Sequence, residues 1–293
     1  MPLIRRGNLP GIFVDQLEQR NNVAFSTVTM ATNSSETRII VITGGGSGIG
    51  RAVALICAAR GDSIAVLDKD ADAAERTAAE ALSYGSKFTL GLLCDVTVEE
   101  QVEESFKNIT AQLGAPYGLF AGAGIEIGGL IHELPMATWQ LVVQTNLTGV
   151  FLSCKHALRQ MIAAKMPGSI VCASSPTGFV ALADGGAGAY SATKGGISSL
   201  TRCLAIDYAP YGIRVNAVVP GATETSLMWS NVSVAGIPGM RQRLSKEIPL
   251  GRLARPEDPA RAVAWLLSEE SSYVTGSHLI CDGGILAKAS IGI

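Results

Sequence analysis

The stretch Ile39-Ile40-Val41-Ile42-Thr43-Gly44-Gly45-Gly46-Ser47-Gly48-Ile49-Gly50 decides the fold. Its first five residues are β-branched and predict a strand, the glycines break that strand, and an apolar helical pattern then runs through Ala52 to Ala59. Strand, glycine loop and helix in that order open a βαβ unit. The alternation continues, with strand candidates at Ser63–Leu67, Phe88–Cys94, Gly118–Ala121, Ser169–Ala173, Arg214–Val219 and His278–Cys281. Most of these runs are continuously apolar, which predicts a sheet covered by helices on both faces. The expected fold class is therefore α/β, a single doubly wound Rossmann-type parallel sheet, with ligands beyond the carboxyl ends of its strands.

Composition agrees with one domain. The chain has 293 residues, of which 47% are hydrophobic, enough for one large core. We place that domain at residues 38–293, after an amino-terminal extension at 1–37 that carries Pro2 and Pro10 and lacks the apolar core of a secretory signal. Met30 reads as a second possible start. A net charge of −2, without basic stretches interleaved with aromatics, gives no footprint for nucleic acid. Apolar runs such as Ala52–Ala59 and Ala262–Leu267 are too short to span a membrane. The six cysteines show no Cys-x-x-Cys spacing and point to a reduced, cytoplasmic protein. His132, His156 and His278 lie far apart without helix-spaced partners, so no metal site is expected.

A glycine loop that opens a helix can bring its main chain against a pyrophosphate, whose charge is stabilised by the free N–H groups and the positive dipole end. The spacing here, Gly-x-x-x-Gly-x-Gly, differs from Gly-x-Gly-x-x-Gly and lacks the Gly-Lys-Ser/Thr of a triphosphate loop. Gly44, Ser47, Gly48, Ile49 and Gly50 are the loop's candidates for a dinucleotide. The second strand ends at Asp68, whose carboxylate can accept from an adenosine ribose and would repel a 2′-phosphate. Lys69 offsets that repulsion only in part and Ser47 adds no positive charge, so NAD is expected over NADP. Asp68 also reads as an N-cap for a helix at Ala71–Ala81.

Further along, Tyr190 and Lys194 stand four residues apart in Ala-Tyr-Ser-Ala-Thr-Lys-Gly-Gly, on one face of a helix. A free phenol ionises near pH ~10, and a fixed cation beside it is expected to lower that value toward the range useful for proton transfer.

With these motifs in order, the chain resembles the short-chain dehydrogenase/reductase family over about residues 38–284. The resemblance is carried by Thr43–Gly50, Asp95 in Cys-Asp-Val-Thr, Asn146 in Thr-Asn-Leu-Thr-Gly-Val-Phe, Ser175 in Ala-Ser-Ser-Pro-Thr-Gly, Tyr190 with Lys194, Pro220-Gly221, and the Asp-Gly-Gly ending. It implies that Tyr190 transfers the proton, Lys194 holds the nicotinamide ribose and lowers the Tyr190 pKa, Ser175 rather than Ser174 binds the substrate oxygen, and Asn146 holds a water of a proton relay. It further implies that Asp95 and Val96 lie near the adenine, and that Ala123, Gly124, Pro220, Gly221, Thr223 and Thr225 complete the cofactor site. The family's usual Asn-Asn-Ala-Gly is Ala121-Gly122-Ala123-Gly124 here, which removes side-chain hydrogen bonds that would brace the sheet and loop. The span from Ser175 to Tyr190 is longer than is common, with Asp184-Gly185-Gly186 expected to bulge near the substrate mouth.

The expected activity is hydride transfer between NAD and a secondary alcohol or ketone with an apolar body. A 3-oxoacyl thioester reductase using NADPH is the rival within the class, and a dinucleotide sensor without turnover the rival outside it. Substrate would sit under a lid at about 224–248 carrying Leu227, Met228, Trp229, Val232, Val234 and Ile237, facing Ile125, Ile127 and Leu130. The resemblance further implies a homo-oligomer, a tetramer, paired through the helices that contain His156–Ala164 and Ala192–Tyr208; the sequence itself adds only apolar positions in excess of what one sheet face needs, such as Ile197, Leu200 and Leu204.

Overall fold

In the structure, a computed structural model, residues 37–288 are described, so all but the last residue of the 1–37 extension lies outside the described part. Seven strands form one all-parallel sheet: β1 Ile39–Thr43, β2 Ser63–Asp68, β3 Thr89–Leu93, β4 Gly118–Ala121, β5 Gly168–Ala173, β6 Ile213–Pro220 and β7 His278–Cys281. Their order across the sheet is β3-β2-β1-β4-β5-β6-β7. The order reverses between β1 and β4, which stay paired to their last residues, Thr43 and Ala121; such a switch point is where this fold type binds ligands, beyond the carboxyl ends.

Both faces of the sheet are buried, which explains the unbroken apolar runs. On one face Val41, Leu67, Leu119 and Ile170 pack with Phe106 and Met161, while on the other Ile40, Ile42, Val66, Phe120 and Val171 pack with Val53 and Val263. Consecutive strand residues thus enter opposite cores, the period-2 geometry of a strand acting twice. Edge strand β3 is shorter than predicted: Phe88, 62% exposed, stays outside it and Leu93 is also exposed.

The helices that carry chemistry begin with α1, Gly48–Ala58, and α2, Ala71–Ser83. Asp70 caps α2, accepting from Ala73 N at 3.0 Å, so the cap expected of Asp68 belongs to its neighbour two residues on. Helix α6, Gly188–Tyr208, follows α3 Glu99–Gln112, α4 Met136–Val143 and α5 Gly149–Ala163. Ile197 on α6 is fully buried, and Leu200 and Leu204 pack against the same core. Ile197 thus belongs to the core of the sheet, while Leu200 and Leu204 stay partly buried at its edge. Phe151 on α5 and Ile206 on α6 are large apolar residues left exposed, 46% and 75%.

Candidate active site

The glycine loop is shaped by close contacts at the carboxyl end of β1. A side chain on Gly50 would place Cβ 2.2 Å from the Gly44 carbonyl oxygen, and Gly44 itself has φ +67° with its Cβ position 2.8 Å from Ala123 Cα. Only glycine fits either place. Ser47 caps α1 without a side-chain hydrogen bond, and no acidic residue stands in the first turn of the helix. The leading N–H groups of α1 therefore lack a side-chain acceptor and suit an anion, so the loop fits the pyrophosphate of a dinucleotide. Ile49 packs against the core below.

Asp68 lies across the loop. Its Oδ2 accepts from Gly46 N at 2.9 Å and its Oδ1 from Asp70 N at 3.1 Å, so the carboxylate is fixed and each oxygen keeps a lone pair for a ribose hydroxyl. Asp95 accepts from Thr97 N at 2.9 Å and Thr97 Oγ1 at 2.7 Å, shaping the turn after β3, while Val96 is buried against Gly149.

The missing asparagines have a local explanation. Thr43 Oγ1 accepts from Gly122 N at 3.2 Å and Ala123 N at 3.5 Å, so a hydroxyl on β1 braces the end of β4. Gly122 can have no side chain, because its Cβ would stand 2.4 Å from Cε1 of the buried Phe120 ring. The aromatic ring occupies the space that a side chain at 122 would need.

Asn146 sits in a π-helical turn, Gln144–Thr148, where Gly149 N–H reaches back to the Gln144 carbonyl. Such widened turns release main-chain carbonyls from the regular ladder and are frequent at functional sites. The Asn146 side chain is already committed: Oδ1 accepts from Ile125 N at 2.8 Å, and Nδ2 donates to Ile125 O at 2.8 Å and Thr193 Oγ1 at 3.3 Å. It clamps the chain that leaves β4, and the Gly124 Cβ position beside it lies 3.9 Å from Lys194 Nζ.

Tyr190 and Lys194 share a face of α6, with Nζ 5.3 Å from the phenol ring centroid. The ammonium donates to the Ala173 carbonyl at 2.7 Å, tying the helix to the end of β5. Burial holds the Lys194 pKa down at about 8, against the opposing charges of Cys172 and Glu126. The Tyr190 phenol is raised above its ordinary value, first by burial and then by the Glu126 carboxylate, with the Ser175 hydrogen bond pulling the other way. This corrects the expectation that Lys194 depresses Tyr190: desolvation of the phenolate dominates, and the lysine proton is directed at Ala173.

The two serines have different partners. Ser174 Oγ bonds Ser198 Oγ at 2.9 Å and the Lys194 carbonyl at 3.2 Å, a buried link between β5 and α6. Ser175 accepts from Thr177 Oγ1 at 3.0 Å and its hydroxyl meets the Tyr190 phenol.

Beyond β6, Gly221 is pressed on the Asp282 main chain, its Cβ position 2.6 Å from Asp282 Cα, and Thr223 donates to Gly221 O at 2.9 Å. Thr225 caps α7, Ser226–Trp229, and its methyl lies 3.1 Å from the Gly48 Cβ position, so this segment begins against the glycine loop. Pro220 ends β6 beside Cys281. The segment continues into α8, Ile237–Glu247. Asn231 donates to the Glu126 carbonyl at 3.0 Å and Arg243 pairs with Asp184 at 2.9 Å, two clasps invisible in the sequence. Of the expected apolar lining, Ile125, Ile127, Met228, Trp229, Val232 and Ile237 are half-buried, whereas Leu130, Leu227 and Val234 are exposed.

The residue that sequence reasoning missed is Glu126. It is the sole charged residue of the run Gly118–Ile131, and that isolation was the available signal.

Comparison with known proteins adds independent findings. The family model described as "Enoyl-(Acyl carrier protein) reductase" matches residues 44–286. Cis-4-hydroxycyclohexanecarboxylate dehydrogenase of Sinomonas cyclohexanicum is 43% identical over 252 residues, covering 85% of this chain and 97% of that protein. The 2,5-dichloro-2,5-cyclohexadiene-1,4-diol dehydrogenase of Sphingobium indicum strain UT26 is 36% identical over 251 residues, covering 85% and 97%. Among solved structures, levodione reductase superposes with a TM-score of 0.82 at 32% identity, over 86% of this chain and 98% of that one.

Proposed function

We propose, from the premise that this chain belongs to the short-chain dehydrogenase/reductase family, that it uses NAD to interconvert a secondary alcohol and a ketone on an apolar, ring-sized body. Membership makes it an NAD(P)-dependent oxidoreductase. The choice of NAD and the substrate class are our reading. The observation that carries it is the meeting of Ser175 and Tyr190 at the end of β5, with Lys194 buried beside them and the glycine loop on the neighbouring strand.

When bound, the nicotinamide cofactor gives or accepts the hydride. The glycine loop and the start of α1 would hold its pyrophosphate, and Asp68 its adenosine ribose. Lys194, Ala123, Gly124, Pro220, Gly221, Thr223 and Thr225 would surround the nicotinamide half, with Asp95 and Val96 near the adenine. Ser175 donates to the substrate oxygen and stabilises the charge that develops there. Tyr190 moves the proton at that oxygen, and the π-turn at Asn146 would hold the water that passes a proton onward from Lys194. Asp68 speaks against the 2′-phosphate of NADP and hence against the thioester-reductase rival. Relatives named for ring alcohols support the cyclic substrate.

We also read the protein as a cytoplasmic homotetramer. Free cysteines and the absence, among the described residues, of any helix long and apolar enough to cross a membrane fit that location. Exposed Phe151 and Ile206 supply apolar surface for assembly. The deciding experiment is a screen of cyclic, aromatic, sugar and acyl alcohols for reduction of NAD and of NADP. Turnover of cyclic secondary alcohols with NAD is expected, and binding of NAD without turnover of any alcohol would overturn the reading.

A further inference from the structure

Beside the reacting groups lies a carboxylate, that of Glu126, which accepts no hydrogen bond from any described residue. Ile125 is gripped by Asn146 on both its N–H and its carbonyl, each at 2.8 Å, so the position of the next residue, Glu126, is set by the same π-turn that serves the reacting groups. On its other side the Glu126 carbonyl accepts from Asn231 of the lid at 3.0 Å. The residue therefore spans the floor and the roof of the substrate space. Its side chain is half-buried, and no hydrogen bond or ion pair from any described residue reaches the carboxylate. Its charge is felt by both Tyr190 and Lys194, and burial raises its own pKa.

A half-buried carboxylate without a hydrogen-bond donor is costly unless something supplies one. Between lid and floor, beside the group that receives the carbinol oxygen, the donor at hand is the substrate. We propose that Glu126 selects the substrate: its carboxylate accepts a hydrogen bond from a second hydroxyl near the reacting carbinol, and its charge turns anionic alcohols away. The preferred substrate is then a neutral diol on an apolar ring. The inference rests on the alcohol–ketone reading above and names the substrate class within it. A site built to pair a substrate hydroxyl discriminates strongly against an analogue lacking it, because its own polar group is left unpaired.

The test is steady-state kcat/KM with NAD for cis- and trans-1,2-cyclohexanediol, cyclohexanol and 4-hydroxycyclohexanecarboxylate, in the wild type, Glu126→Gln and Glu126→Leu. The Gln variant keeps the shape of the side chain and guards against misfolding. The ratio of the better diol to cyclohexanol is expected to fall on the order of tenfold in Glu126→Leu, with Glu126→Gln between, as loss of a charge-assisted hydrogen bond requires. The carboxylate-bearing alcohol should gain relative to cyclohexanol in both variants. Ratios that stay within about twofold of wild type in both variants would overturn the role of Glu126 while leaving the alcohol–ketone reading intact. No turnover of any probe by the wild type would overturn that reading and this inference with it.

Discussion

Gly122→Ala adds one methyl group at a place where the family's asparagine would add more. The ideal Cβ lies 2.4 Å from Phe120 Cε1 and 3.0 Å from Cδ1 and Cζ, and the ring is only 1% exposed. The ring cannot swing away freely, since it packs in the core with Ile40, Ile42 and Val171. Nor can Gly122 retreat without stretching the 3.2 Å bond from its N–H to Thr43 Oγ1. Overpacking of this kind costs about 1–3 kcal/mol. Urea denaturation should show the midpoint falling with an unchanged slope. Phe120→Val alone leaves a void, but with Gly122→Ala the new methyl enters the space that the ring vacated, so the double variant should be more stable than the sum of the singles by about 0.5 kcal/mol or more. A Gly122→Ala protein as stable as wild type, or two costs that simply add, would refute the claim that Phe120 excludes the family asparagine.

Three further outcomes follow from the site. Asp68→Ala should reduce the preference for NAD over NADP, because the ribose acceptor and the repulsion of a 2′-phosphate vanish together; kcat/KM with each coenzyme measures this, and an unchanged ratio contradicts it. Glu126→Gln removes a negative charge that raises Tyr190 and supports the Lys194 ammonium, so both groups deprotonate more easily. The rising limb of the pH profile for alcohol oxidation should therefore move to lower pH, and a limb that stays or rises counts against the assigned electrostatics. Deleting residues 1–29 should leave kcat/KM intact, because the loop, the serines and the lid all lie after Thr43; a large loss with unchanged mass by light scattering would show that the extension shapes the site.

The sheet was legible because its central strands are buried on both faces: Ile39–Ile42 is apolar throughout, and the glycines after Thr43 admit few readings. The placement of Tyr190 beside Lys194 was also readable, since a four-residue spacing puts both on one helix face. What escaped the sequence depends on contacts between distant segments. Spacing cannot show that Lys194 donates a hydrogen bond to the Ala173 carbonyl, or that Asn146 grips Ile125 21 residues away. The depressed Tyr190 pKa was expected from one neighbour alone, and desolvation, which requires the packed structure, reverses the sign.

The central claim is that the Tyr190 hydroxyl carries the proton in an alcohol–ketone interconversion. Tyr190→Phe removes that one oxygen from a ring that otherwise keeps its place on α6. With a cyclic secondary alcohol found by the coenzyme screen, kcat for this variant should fall by about 10²–10⁴-fold, the usual contribution of a positioned proton-transfer group. NAD binding, followed by quenching of tryptophan fluorescence, should persist. Near-normal kcat in Tyr190→Phe would contradict the account.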